Sequence, residues 1–69
     1  MVRVPVASSM IAAVSYDADA GVLEVEMNHG GAYAYFDVPQ ELFDSFLNAE
    51  SMGRFWQSAL QGRYGEMRV

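Results

Sequence analysis

Along residues 22–27 apolar and charged side chains alternate without a break, with Leu23, Val25 and Met27 on one side and Glu24 and Glu26 on the other. A period of two is that of a β-strand with one buried face and one wet face. Residues 10–16 form an apolar run of strand length that stops at the turn-forming cluster Asp17-Ala18-Asp19-Ala20-Gly21. In residues 32–36, Ala32-Tyr33-Ala34-Tyr35-Phe36, aromatics recur at alternate positions, again the habit of a strand. Between the last two runs lies Asn28-His29-Gly30-Gly31, whose glycines reach positive φ at little cost. Links this short predict a three-stranded antiparallel meander.

The period changes at Asp37-Val38-Pro39. Pro39 suits the first position of a helix, where its missing N–H costs nothing. Leu42, Phe43, Phe46 and Leu47 then make one apolar stripe, and Glu41 sits where the helix dipole favours an anion. Asn48-Ala49-Glu50-Ser51 interrupts the stripe, with Ser51 placed to cap a second helix. That helix carries Met52, Phe55, Trp56, Ala59 and Leu60 at helical spacing and ends at Gly62, leaving residues 63–69 as a short tail. The predicted fold is α+β: a three-stranded antiparallel β-meander followed by two helices packed on one sheet face, the face of Leu23, Val25 and Met27. Glu24 and Glu26 would line the other. The face taken by Tyr33 and Tyr35 depends on strand register, which the pattern leaves open.

Sixty-nine residues make one domain, expected to span 1–69. A chain of this size buries only about 60 % of the surface its unfolded form exposes. With no cysteine, neither disulfides nor thiolate metal sites can supplement the core. The composition answers with 52 % hydrophobic residues, including four tyrosines, four phenylalanines and one tryptophan, and with five methionines as adaptable filler. At the N-terminus one arginine precedes an apolar run, as in a weak signal peptide, but Pro5 and Ser8-Ser9 break it. The segment reads as strand, no run approaches transmembrane length, and the expected location is cytoplasmic.

Net charge is −5, with nine acidic residues against four arginines and no lysine. Such a surface repels phosphate and disfavours nonspecific nucleic-acid binding. Arg54, Arg63 and Arg68 nevertheless fall near the C-terminus, which leaves room for a local basic patch. Candidate chemistry is sparse. His29 is the sole histidine and sits in a glycine-rich turn with no partner at ligand spacing, so no metal is expected. None of the serines lies in a glycine-flanked elbow, Asp17 and Asp19 lack the pattern of a calcium loop, and Gly30-Gly31 precedes a strand rather than a helix. Glu24 and Glu26 share a face but alternate with core residues, so they read as a solvated surface. The expectation is a non-enzymatic module without a cofactor.

Several landmarks occur in a particular order. They are Ser8-Ser9, Tyr16-Asp17, Gly30, Tyr33-Ala34-Tyr35, Val38-Pro39, Ser51, Gly53-Arg54-Phe55 and Gly62-Arg63-Tyr64. In order and spacing, from Ser8 to Tyr64, they resemble the KTSC domain, a small module that stands alone in bacteria and occurs at the C-terminus of some lysyl-tRNA synthetases. The resemblance implies a β-meander followed by helices and, through the synthetase association, a suggested role in RNA binding. This chain departs from the family pattern at Met52 and Gln61, where a basic residue is usual. It departs again at Phe55-Trp56-Gln57, where two aromatics and an asparagine are usual. Two potential phosphate contacts are thereby absent, so any RNA binding is expected to be weak.

Two functional expectations follow. In the first, Tyr33 and Tyr35 stack bases while Arg54 and Arg63 engage phosphate; stacking contributes about 1–3 kcal/mol per base. Against it, aromatics dominate core area in so small a domain, which predicts at least one of the two tyrosines in the core with its hydroxyl at the rim. In the alternative, the same residues belong to a protein-interaction or self-association module whose acidic surface suits basic partners.

Overall fold

The computed structural model describes residues 2–69. Within them the chain runs β1 (Val2–Pro5), β2 (Ile11–Asp17), β3 (Val22–Met27), β4 (Ala32–Tyr35), α1 (Gln40–Leu47), α2 (Met52–Phe55) with a π-helical continuation (Trp56–Leu60), and β5 (Glu66–Arg68). The strands form one antiparallel sheet in the order β1-β2-β3-β4-β5.

The meander expected from the pattern is present as β2, β3 and β4, but the sheet has five strands, not three. Each terminus adds one edge. Val2-Arg3-Val4-Pro5 pairs with β2, and Pro5 is tolerated because an edge strand can leave one side of its backbone unpaired. At the other edge the expected tail turns back after Gly62, whose φ is 76°, and pairs with β4. The Phe36 amide donates to the Gly65 carbonyl (3.0 Å) and the Val69 amide to that of Ala32 (2.8 Å). Three residues, two of them charged, carry no period to read.

Register decides which side chains meet. β3 opposes β4 with Leu23 facing Tyr35 and Val25 facing Tyr33; β2 opposes β3 with Val14 facing Val25 and Tyr16 facing Leu23. All six therefore point to one face, and the helical layer covers it with Phe46, Met52, Trp56 and Leu60. Glu24 lines up with Ser15 and Ala34, and Glu26 with Ala13 and Ala32, on the face the helices leave uncovered. A bulge between Ile11 and Ala13 keeps both Ile11 and Val14 in the core.

The helices begin where the sequence predicts, with Pro39 as the N-cap of α1 rather than its first residue and the Ser51 hydroxyl accepting from the Arg54 amide (3.3 Å) at the start of α2. Leu47, expected in the buried stripe, is 39 % exposed. It is the last residue of α1. The second helix widens at Trp56, where the Gln61 amide reaches the Trp56 carbonyl (2.8 Å). One turn earlier the Ser58 hydroxyl donates to the Arg54 carbonyl (2.9 Å). Two loops are fastened to each other: the Tyr16 hydroxyl and the Gly21 carbonyl hold opposite ends of Val38, through its carbonyl and its amide. Asp37 beside them adopts φ 59°, a left-handed conformation that aspartate tolerates better than most residues. Tyr16 also stacks on Phe43 with ring centroids 4.6 Å apart.

Trp56→Ala is expected to unfold the domain, since truncating so large a buried ring costs about 3–5 kcal/mol, close to the whole stability of a domain this small. A cooperative melt with an unshifted midpoint would contradict the burial of Trp56 at 7 % exposure. Ending the chain after Gly65 removes β5 and bares the edge of β4. The expected result is a lower melting temperature and concentration-dependent association in sedimentation, because an unpaired edge is a template for a further strand.

Candidate functional site

The tyrosine strand is the first place to look. Tyr35 is fully buried, and its hydroxyl accepts a hydrogen bond from Trp56 Nε1 (2.7 Å). Tyr33 is half-buried, its ring tilted by 40° against the Trp56 indole at a centroid distance of 5.9 Å. Burial pushes the Tyr35 phenol well above its ordinary value. Glu66, facing it from β5, pushes the same way, and the Trp56 N–H pulls in the opposite direction. Tyr35 thus offers no ring face to a base, and the face on which both tyrosines lie is the one the helices occupy.

Arg54 is exposed on α2 and Arg63 is exposed just past the π-helical turn. Neither forms an ion pair among the described residues, where the salt bridge found joins Arg3 Nη2 to Glu26 at 2.7 Å across β2. Because Tyr35 is enclosed, Tyr33, Tyr35, Arg54 and Arg63 do not form one open platform. Sequence reasoning identified the tyrosine pair by its alternation but had no means of telling which face it took.

Two surfaces remain. The outer sheet face carries Glu24 and Glu26 among the small side chains of Ala13, Ser15 and Ala34, with Arg3 and the 55 %-exposed Met67 at its margins. Separately, a cleft opens between the 6–9 link and the 47–52 stretch. It brings Ser8-Ser9 and Ser51, landmarks far apart in the chain, to one place. Ser8 is a structural pivot there: its Oγ accepts from the Met10 and Ile11 amides (both 3.2 Å) and its carbonyl from Asn28 Nδ2 (2.8 Å). Glu50 also lines this cleft. Its only signal in the sequence was the polar break between two apolar stripes.

Among the described residues no group of three or more His, Cys, Asp or Glu side chains could hold a metal ion, and no buried polar side-chain atom lacks a partner. His29 is exposed in the β3–β4 turn. No helix is long and apolar enough to cross a membrane among those residues. Nothing in this arrangement points to catalysis.

The geometry defines a small α+β domain with one helix-covered face and one open face on a single antiparallel sheet. The KTSC domain model matches residues 7–64, and the chain belongs to that family. A crystal structure of a KTSC domain protein from Yersinia pestis is similar at a TM-score of 0.95 and 34 % identity, covering 99 % of this chain and 96 % of that one. A protein of Tsukamurella paurometabola is 42 % identical over 60 residues, 87 % of this chain and 90 % of its own length. An uncharacterized protein of Stutzerimonas stutzeri is 34 % identical over 64 residues, 93 % and 90 % of the two chains. The Yersinia match extends beyond residues 7–64, so it takes in edge-strand segments that the family model leaves out.

Tyr35→Phe leaves the enclosed Trp56 N–H without its acceptor, an expected cost of about 1–3 kcal/mol in denaturant unfolding. The same hydroxyl gives stability a pH dependence. The folded state holds its proton more tightly than the unfolded chain, whose phenol titrates near 10.0. The contribution is therefore complete below that pH and declines as pH rises through and beyond it. The alkaline decline is expected to be shallower in Tyr35→Phe; identical slopes would mean that Tyr35 ionises as freely in the folded state as in the unfolded one.

Proposed function

We propose that this KTSC domain is a non-catalytic protein-interaction module that binds basic segments of partner proteins on the uncovered face of its sheet. The observation that carries the reading is the pairing register. It sets Glu24 and Glu26 on the open face and turns Tyr33 and Tyr35 into the covered one. Glu24 has no salt-bridge partner among the described residues. A net charge of −5 steers cationic partners and repels nucleic acid. A nucleic-acid role loses its stacking ring at Tyr35 and faces that same charge. Self-association through the sheet edges is opposed at β1 by Pro5 and at β5 by its length of three residues.

Isotope-labelled protein titrated at low salt with a lysine-rich peptide is expected to show amide shifts along β3, around Glu24 and Glu26. The shifts should fade as salt is raised and weaken in the Glu24→Gln/Glu26→Gln variant. A matching titration with oligouridylate RNA is expected to leave these amides unmoved. Shifts produced by the RNA and not by the peptide would reverse the reading.

A further inference from the structure

We infer that the cleft between the 6–9 link and the 47–52 stretch receives a single lysine or arginine side chain from a partner protein, an inference that rests on the protein-interaction reading and names a second contact for it. The cleft is walled by Val6, Leu47 and Met52, and its polar side chains are those of Ser8, Ser9, Glu50 and Ser51. Among the described residues no cationic side chain lines it. Apolar walls with a carboxylate at the rim match a side chain that is aliphatic along its stem and charged at its head. The two large apolar walls differ in exposure. Met52 is buried and belongs to the core, whereas Leu47 stands 39 % exposed although the helical stripe would have it buried.

Leu47 is the last residue of α1, an eight-residue helix with no basic residue in its last turn. Its last turn is closed by Asn48, whose amide (3.2 Å) and Nδ2 (2.8 Å) both donate to the Asp44 carbonyl. The start of α2, where the Ser51 hydroxyl accepts from the Arg54 amide, borders the same cleft through Ser51 and Met52. Glu50 has no salt-bridge partner among the described residues. An anion in this cleft would meet the Glu50 carboxylate with no cationic side chain beside it among the described residues, so charge selects a cation. A protein side chain is the favoured source because the cleft is open to solvent along an exposed link and lies in a domain of net charge −5.

The probe is acetyl-Gly-Lys-Gly-amide, titrated into the isotope-labelled full chain alongside its norleucine analogue, n-butylammonium and inorganic phosphate. The lysine peptide is expected to shift the amides of Ser9, Glu50 and Ser51, while the norleucine peptide and phosphate leave them in place. Glu50 is exposed, so Glu50→Gln should fold normally and weaken the lysine peptide by about fivefold, the upper range for a solvent-exposed ion pair. Equal shifts with norleucine would overturn the assignment of a cationic head. Equal affinity for n-butylammonium would overturn the commitment to a protein side chain. Shifts with phosphate would overturn the sign of the charge. Shifts confined to β3 would overturn the cleft while leaving the interaction reading intact, and an absence of shifts anywhere would remove both.

Discussion

The hydrogen bond from Trp56 Nε1 to the Tyr35 hydroxyl ties the two layers of this domain together. Tyr35 is in the strand that follows a glycine turn, and Trp56 is at the junction where α2 widens into its π-helical turn. Both polar atoms are withdrawn from water, and each would be costly without the other. The bond needs Tyr35 directly above the helix, which in turn needs Leu23 opposite Tyr35 in the β3–β4 register. A shift of one residue would move every side chain of β4 to the other face and break it. In a domain with a thin stability margin, that contact aligns helix, strand and register at once.

Much of what marks the chain as a KTSC domain is explained by similar structural ties. Tyr16 and Val38 belong to landmarks separated by more than twenty residues, and they are joined by a hydrogen bond that closes the sheet-to-helix corner. Gly21 takes part through its carbonyl, and its φ of 69° explains the absence of a side chain there. Ser8 organises the entry to β2, and Ser51 caps α2. At Gly53 an added Cβ would lie 3.3 Å from Met10 Sδ, so the helix passes close to the strand entry because nothing projects from it. These residues build the scaffold, and their presence does not by itself imply a ligand.

What the scaffold leaves over is therefore the better guide to interaction. The tyrosines, which look most like a binding surface in the sequence, are engaged with tryptophan. The acidic side chains, which look like mere solvation, occupy the one sheet face without a helical cover. Glu26 is partly neutralised there by Arg3 from the edge strand, and among the described residues Glu24 is not. A domain that spends its aromatics on its core presents charge to its surroundings.

The sequence by itself determined the element types, the meander of residues 10–36, the two helices, the Ser51 cap and the burial of Trp56. Each depends on local period or on one residue's conformational preference, and these act over a few positions. Tertiary structure decided the face taken by Tyr33 and Tyr35, the two added edge strands, the exposure of Leu47 and the cleft that joins Ser9 to Glu50. Alternation states that neighbouring side chains point in opposite directions, but not which direction is inward; only pairing with β3 settles that. β5 is too short and too polar to carry a period, and it forms because β4 offers an open edge within reach of the Gly62 turn.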